Sequence, residues 1–243
     1  MLRRCNAECI FGIHICSNVP FGRIATRVGP FMASVNTFDI TVRGQGGHAA
    51  MPETCRDPIV AAAQMVTAFQ TIVSRSIPVS SPAVVSVTQF HAGTTDNVIP
   101  PSASLNGTIR TFDEHVRQTI RQRLAEIAER TAAAHGSVAE IAIREGYPVL
   151  VNDEAVTAAA LKAARDIGFA DDALGDLDPQ GGGEDFAYYC RVVPGAFVFL
   201  GGRNETKDCI YPHHHPRFNI DEDALPQGSA LHAQFALNAG GGS

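Results

Sequence analysis

The order of strand and helix patterns between residues 35 and 144 constrains the fold of this chain more than any other feature. Strand-like alternation of apolar and polar residues occurs in four segments: 35–43, 83–91, 103–112 and 138–144. One helical pattern begins after Asp57-Pro58, and a second begins after Asp113 and ends near Gly136. This strand–helix–strand–strand–helix–strand order is that of a ferredoxin-like sandwich (βαββαβ). We therefore predict a domain over residues 33–144, with one sheet face and one edge strand open to a partner.

The residues on either side predict a second, discontinuous domain made of residues 1–32 and 145–243. The segment 9–14 is a nearly continuous apolar run, typical of a buried parallel strand. Later segments predict a helix near 153–166, a glycine turn at 181–183, a short helix carrying 184–189, a strand at 196–200 and a last helix near 221–237. Such pieces are typical of helices on a mostly parallel sheet. The expected fold class is α/β: a truncated parallel-sheet domain with the ferredoxin-like domain inserted in it.

Composition argues against several classes of function. The 243 residues are 45% hydrophobic and 18% charged, with a net charge of -6, as in ordinary globular proteins. Basic residues are not concentrated enough for a nucleic-acid surface, and no apolar run approaches the ~20 residues of a membrane span. The apolar patch near the start carries Glu8 and His14, which favours a strand over a signal peptide. Six scattered cysteines are typical of reduced thiols, so we expect a cytoplasmic protein with no nucleic-acid and no membrane partner.

His48 stands at the end of a glycine-rich loop, Gly44-Gln45-Gly46-Gly47-His48. Glycines there allow the backbone to take conformations closed to other residues and to approach a ligand closely. A histidine on such a loop is placed to meet a substrate, although a tight turn with a solvated imidazole explains the same residues.

Two other histidine positions are candidates for chemistry. His14 ends an apolar strand, where open α/β sheets bind ligands, but a buried histidine bonded to a backbone carbonyl is the alternative. In the run His213-His214-His215, adjacent side chains of an extended backbone point in opposite directions. One metal ligand with two supporting neighbours is therefore the physically sensible arrangement, and a solvated polar turn is the alternative.

A carboxylate pair and an arginine complete the candidates. Glu184 and Asp185 follow three glycines at a predicted helix start, where they either complement the helix dipole or face a metal-bound substrate. Arg110 lies in the middle of a strand, which is typical of an arginine that meets an anion such as a carboxylate. An ion pair of Arg110 with Asp113 or Glu114 is the competing interpretation.

Several motifs in order along the chain resemble the M20 family of metallopeptidases. They are GQGGHAAMPETCRDPIVAAAQ, TIVSRS, HAGTTDNVIP, GTIRTFD, GGEDFAYY, PGAFVFLG and HHHPRFNIDEDAL. The match is nearest to the amidohydrolase branch, which includes hippurate hydrolases and N-acyl-amino-acid amidohydrolases. The resemblance implies metal-dependent hydrolysis of an N-acyl amino acid, a small hippurate-like molecule, to a carboxylate and a free amino acid.

The resemblance also implies a metal site in the discontinuous domain. A complete site in the family takes two divalent ions, expected here to be Zn²⁺, Mn²⁺, Ni²⁺ or Co²⁺. The matching positions assign His14 and His214 as metal ligands. Glu184 resembles the carboxylate that faces this site.

The remaining assignments lie in the 33–144 domain, which the resemblance identifies as a lid and dimerisation domain. His48 resembles the lid histidine that reaches the active site of the partner subunit in a homodimer and polarises the scissile carbonyl. Asn97 and Arg110 resemble lid residues that hold the carboxylate end of the substrate.

The sequence departs from the family in one respect. Family members carry, before the first strand found here, a segment with further metal ligands and the general base. We therefore expect this chain to be incomplete and to work with a separate N-terminal half. The alternative is a catalytically inactive homologue that serves as a binding or dimerisation module. A cysteine hydrolase using Cys16 or Cys190 is a third possibility, but no suitable His and Asn accompany them.

Overall fold

Twelve strands and five α-helices are distributed over residues 6–240, the part of the chain that the computed structural model describes. The strands are β1 (Ile10–Pro20), β2 (Ile24–Thr26), β3 (Gly29–Met32), β4 (Ser34–Arg43), β5 (Gly47–His48), β6 (Ala83–Ala92), β7 (Val98–Ile99), β8 (Ser102–Thr111), β9 (Val138–Glu145), β10 (Leu150–Asn152), β11 (Leu174–Asp176) and β12 (Gly195–Arg203). The helices are α1 (Pro58–Thr71), α2 (Glu114–Ala134), α3 (Glu154–Asp166), α4 (Ala187–Cys190) and α5 (Ala224–Gly240).

These elements group into two compact units. The central unit comprises Ala33–Val149 together with Gly181–Gly183. The flanking unit comprises, within the described part of the chain, residues 6–32, Leu150–Gln180 and 184–240. Each unit has its own hydrophobic core, so each is considered by itself.

The central unit is a four-stranded antiparallel sheet in the order β6-β8-β4-β9, with α1 and α2 packed on one face. The helix starts agree with the sequence prediction: the Asp57 carboxylate accepts from the Ile59 N–H at 2.8 Å, and Asp113 accepts from Val116 at 2.8 Å. Strand residues alternate between the core and the opposite face, as in β8, where Leu105 and Ile109 are buried.

The flanking unit contains a mixed sheet in the order β1-β12-β2-β11. The pairs β1–β12 and β2–β11 are parallel, whereas β12 and β2 are antiparallel. The strand β12 is buried along nearly its whole length, because both of its faces are covered. One face packs with α3 and α5, and the other carries an aromatic cluster of Phe31, Phe186, Phe197 and Phe199.

Two sequence expectations for the flanking unit need correction. The short helix expected over residues 184–189 is α4, which begins only at Ala187, so Glu184 and Asp185 lie in the turn that precedes it. The helix α4 has only four residues, so its peptide dipoles add up to a small helix dipole. Favourable interaction with that dipole therefore does not explain why the two carboxylates lie there. The last helix, expected near 221–237, is α5 at Ala224–Gly240, and Asp221 lies in the turn before it and accepts from the Asp223 N–H at 3.2 Å.

Cysteines and apolar helices complete the description of residues 6–240. Five cysteines in this part of the chain are free thiols, and Cys5 lies outside the described residues. None of the helices described here combines the length and the apolar character that crossing a membrane would require.

Candidate functional site

His14 lies on β1 of the flanking unit, opposite Phe199 of β12 in the parallel register. Its Nδ1 is 2.6 Å from the Ile15 carbonyl oxygen, so Nδ1 must carry the hydrogen of this bond. In its neutral form this imidazole would present the lone pair of Nε2, as a metal-binding histidine does. The rings of Phe197 and Phe199 pack edge-on against it, with centroids 6.3 and 5.8 Å away, and restrict its orientation.

The imidazole that packs against His14 is that of His213, with ring centroids 5.1 Å apart and planes perpendicular. The Ser17 N–H donates to His213 Nε2 at 3.3 Å. Burial lowers the pKa of His213, and the nearby His14 and His214 imidazoles lower it further, whereas a hydrogen bond with the Ile15 backbone opposes the shift in pKa. His213 is therefore held neutral, with its Nε2 lone pair occupied by the backbone of Ser17.

His214, the residue assigned as a metal ligand from the resemblance, has a left-handed backbone with φ of 67°. A non-glycine residue rarely adopts this conformation, and here it turns the chain between His213 and His215. Sequence reasoning treated His213 only as a supporting neighbour. The sequence cannot distinguish three identical adjacent histidines. The backbone conformation at His214 decides which of their rings contacts His14.

The loop of residues 204–223, which carries these histidines, is braced at its base by a buried carboxylate. Asp221 is 2% exposed and accepts from Lys207 Nζ and from Asn204 Nδ2, each at 2.6 Å. Lys207 also bonds Asp223 at 2.5 Å. The Lys207 ammonium lowers the pKa of Asp221, and in turn the Asp221 carboxylate raises the pKa of Lys207. This brace was missed from the sequence, where Asp221 and Asp223 look like ordinary surface acids.

An aromatic stack supports the middle of the same loop. The rings of Tyr211 and His215 are stacked with centroids 4.7 Å apart, and the guanidinium carbon of Arg217 lies 4.2 Å from the Tyr211 centroid. The Arg217 N–H also donates to His215 Nδ1 at 3.0 Å. His215 is thus a structural part of the loop.

Glu184 lies in the turn before α4, where the Phe186 N–H donates to its Oε1 at 3.3 Å. Burial raises the pKa of Glu184; the Phe186 N–H opposes this effect, Asp185 adds to it, and the His14 imidazole lowers the pKa. Glu184 is therefore within electrostatic range of His14. The structure packs His14 against His213, and His14 influences Glu184 only through its charge, so the predicted roles of His14 and Glu184 stay predictions.

His48 pairs with Val98 on the short ladder of β5 and β7 in the central unit, and Asn97 directly precedes β7. The Ala49 N–H donates to the Asn97 carbonyl oxygen at 3.1 Å. The Ala50 N–H donates to His48 Nδ1, also at 3.1 Å, so neutral His48 carries its hydrogen on Nε2. The exposed His48 ring therefore presents an N–H donor.

The glycines before His48 allow a close approach to backbone of the chain itself, whereas the sequence predicted an approach to a ligand. A Cβ at Gly44 would lie 2.0 Å from the Arg56 carbonyl oxygen, and one at Gly46 would lie 2.6 Å from the Ile99 carbonyl oxygen. These approaches allow Gln45 and Arg56 to exchange two backbone hydrogen bonds of 2.9 Å. The His48 loop is consequently held by backbone groups.

Arg110 is half-buried on β8 of the central unit, and its Nη1 donates to Thr108 Oγ1 and, at 3.0 Å, to the Ile109 carbonyl oxygen. Burial lowers the pKa of Arg110. The competing interpretation, an ion pair with Asp113 or Glu114, is wrong: Asp113 caps α2 and Glu114 pairs with Arg117 at 3.2 Å. Among residues 6–240, no carboxylate forms a salt bridge with Arg110.

The sequence model of peptidase family M20/M25/M40 matches residues 1–238. The chain belongs to this family. The predicted membership of M20 is confirmed, and the mixed α/β fold with parallel strand pairs is the one found in solved M20 peptidases.

Three M20 relatives illustrate the similarity. Thermostable carboxypeptidase 2 of Saccharolobus solfataricus is 40% identical over 94% of this chain and 57% of its own length. N-acetylcysteine deacetylase of Bacillus subtilis is 41% identical over 94% of this chain and 58% of its own. A solved dinuclear metal-binding peptidase of the M20 family from Bacillus subtilis has a TM-score of 0.78 and 34% identity, over 97% of this chain and 59% of that one. The chain thus spans a little over half the length of these relatives.

The described residues of this M20 chain do not form a complete metal site. Within residues 6–240, no three His, Cys, Asp or Glu side chains come together closely enough to hold a metal ion. Protein zinc sites take three or four protein ligands, and the Nε2 lone pair of His213 is occupied by the Ser17 N–H. His14 and His214, the two ligands that the resemblance assigns, would leave such a site short of protein ligands.

Proposed function

We propose that the chain is part of a metal-dependent M20 amidohydrolase that cleaves hippurate-like N-acyl amino acids to a carboxylate and a free amino acid. One observation carries this proposal: the half-buried guanidinium of Arg110 has no carboxylate partner among residues 6–240. An N-acyl amino acid offers such a carboxylate next to its amide. The deacetylase relative is named for an N-acetylated amino acid, and the carboxypeptidase relative for a peptide end that carries a carboxylate.

In the proposed reaction, His48 donates its Nε2–H to the scissile carbonyl and stabilises the negative charge that develops on the oxygen. The hydrogen bond from Ala50 to Nδ1 supports this role because it keeps the Nε2 hydrogen in place. We further propose that residues 33–144 are a ferredoxin-like lid and dimerisation domain. Through it, His48 would serve the site of the partner subunit in a homodimer. Asn97 and Arg110 of the lid would hold the carboxylate end of the substrate.

We place the metal ligands of this chain at His14 and His214, with Glu184 facing the site. The remaining ligands and the general base would come from a further segment, such as a separate N-terminal half. The domain boundaries that accompany this proposal are residues 1–32 and 145–243 for the catalytic part. The identity of the two divalent ions is left to experiment among Zn²⁺, Mn²⁺, Ni²⁺ and Co²⁺.

The test is the hydrolysis of hippurate, measured as the release of glycine. The purified chain with added Mn²⁺ or Zn²⁺ is expected to release glycine no faster than buffer, because the described residues lack a three-ligand site. The same chain combined with the complementary N-terminal half of an M20 relative is expected to show metal-dependent turnover, and His214→Ala should abolish that turnover. The control is Lys162→Met, an exposed residue of α3 that should leave turnover unchanged.

The second candidate function is a catalytically inactive binding or dimerisation module. The absence of a three-ligand cluster within residues 6–240 is what favours it. A chain that forms a dimer but gives no turnover with any complementary half and any of the four metals would support the module. Robust turnover by the chain alone, abolished by His214→Ala, would instead show that it completes the metal site by itself.

A further inference from the structure

Thr108 and Arg110 lie two residues apart on β8, and their side chains share the face of the sheet that is opposite the helices. Arg110 Nη1 donates to the Thr108 hydroxyl oxygen. The Thr108 hydroxyl itself donates to the Asn36 carbonyl oxygen of β4 at 3.1 Å. A hydroxyl has a single proton, so the bond to Asn36 leaves only oxygen lone pairs for Arg110.

The remaining donors of Arg110 form one edge of the guanidinium. The two hydrogens on Nη1 have two acceptors, Thr108 Oγ1 and the Ile109 carbonyl oxygen at 3.0 Å. Neither Nε nor Nη2 has a protein acceptor within residues 6–240. This Nε–Nη2 edge carries two parallel N–H groups, the arrangement that matches the two oxygens of a carboxylate.

The surroundings of Arg110 strengthen an interaction with an anion. Val35 of β4 and Val84 of β6 lie directly opposite Arg110 in the two neighbouring strands, on the same face. Arg110 itself is half-buried, so water has only partial access to it. A hydrogen bond between charged groups is stronger where water is partly excluded.

We propose that Thr108 is a positioning residue for the substrate carboxylate: by holding Nη1, it turns the Nε–Nη2 edge of Arg110 towards that carboxylate. This inference rests on the proposed function, because it assumes that Arg110 meets the substrate. It adds that the carboxylate docks side-on and that the Thr108 hydroxyl sets the orientation. Substrates whose carboxylate is replaced by an amide are therefore rejected at this position.

The test uses the full chain and two probes, N-acetylglycine and its uncharged amide, N-acetylglycinamide. Binding is followed by the NMR signal of the Arg110 Nε–H, identified by its loss in Arg110→Lys. N-acetylglycine is expected to shift this signal and the amide is not. Thr108→Val should weaken the binding of N-acetylglycine about tenfold, since one bond to a charged donor is lost, whereas Thr108→Ser should stay within about twofold.

The matched control is Thr41→Val, which removes a hydroxyl from the same sheet face on β4, away from Arg110, and should leave binding unchanged. If Thr108→Val does not fold, Thr108→Ala removes the same hydroxyl without adding a methyl group. Equal affinity of wild type and the hydroxyl-free variant would overturn the proposal, as would an equal shift with the amide or no shift at all.

Hydrolysis by the reconstituted enzyme separates this inference from the proposed function. Loss of the Thr108 hydroxyl is expected to raise KM about tenfold with kcat nearly unchanged, and Thr108→Ser is expected to restore KM. N-acetylglycine binding at Arg110 without any hydrolysis would overturn the proposed function and leave the role of Thr108 intact. Hydrolysis with the same KM in Thr108→Val and wild type would overturn the role of Thr108 and leave the proposed function intact.

Discussion

The two histidine-bearing loops of this protein are held in place by different forces. The loop of residues 44–56, with His48, is fixed by backbone hydrogen bonds, including the pair between Gln45 and Arg56, and by glycines at close approaches. The loop of residues 204–223, with His213, has a similar backbone pair between Asn204 and Cys209, and in addition the side-chain charges of Lys207 and Asp221 brace its base. Backbone bonds hold both loops, but only the second also has a buried ion pair at its base.

This difference indicates how each loop responds to its surroundings. Backbone bonds do not titrate, and steric requirements at glycines do not change with pH. An ion pair between a lysine and a buried aspartate disappears when the carboxylate is protonated. The His48 loop is therefore sensitive mainly to changes in backbone shape, and the 204–223 loop mainly to changes in charge.

The largest expected effect is that of Gly44→Ala. The added Cβ would lie 2.0 Å from the Arg56 carbonyl oxygen, so the Gln45–Arg56 pair must separate. We expect the central unit to lose about 3 kcal/mol of its free energy of unfolding, as for an overpacked site in which backbone must move. Denaturant unfolding measures the loss. Gly181→Ala is the matched control, since nothing lies within 4 Å of its Cβ; an equal effect of both would contradict the prediction.

The next effect is that of Lys207→Met. Removing the ammonium leaves the buried Asp221 carboxylate with Asn204 but no cation among its partners. We expect hydrogen exchange of the 204–223 backbone amides to become about tenfold faster, because the brace opens more often, while amides of 44–56 keep their rates. Lys162→Met is the control, since it breaks an exposed pair with Asp166. The comparison of the loops fails if both loops change alike.

The smallest expected effect is that of pH on the unmodified protein. The Lys207 ammonium lowers the pKa of Asp221 below the ordinary aspartate value of about 3.9. A carboxyl whose pKa is lower in the folded than in the unfolded protein stabilises the folded state at pH values above its ordinary pKa. This stabilisation is lost as the pH falls through the pKa of the folded state. Exchange protection in 204–223, corrected for intrinsic rates, should hold from pH 7 to about 5 and decline below about 4. The exchange protection of residues 44–56 should not decline over the same pH range.

In Lys207→Met the carboxyl lacks the cation that lowers its pKa, so the decline in protection of 204–223 below about pH 4 should be smaller than in wild type. An unchanged pH profile in this variant would show that another carboxylate governs the loop. Asp223, which also bonds Lys207, is the residue to replace in that case.

Much of the fold was predictable because its determinants are local. Asp57 and Asp113 cap their helices within three residues, and the alternation in β4 and β8 needs only the neighbouring residues. The short helix near Glu184 was misplaced because four-residue helices have no periodicity to recognise. For the site, the motifs point to His14, His48 and Arg110, whose roles stay predictions, and the structure adds hydrogen bonds that a motif does not contain.

The order of the elements, the family and the residue types available for chemistry follow from the amino-acid sequence alone. These properties depend on local patterns and on short sequence motifs. The tertiary structure decided which of three adjacent histidines meets His14, which carboxylate braces the 204–223 loop, and which edge of Arg110 is left free. Those outcomes depend on hydrogen bonds between residues far apart in the chain, such as Ser17 with His213 and Thr108 with Asn36. Long-range partners of this kind leave no periodicity in the sequence, and only folding selects among them.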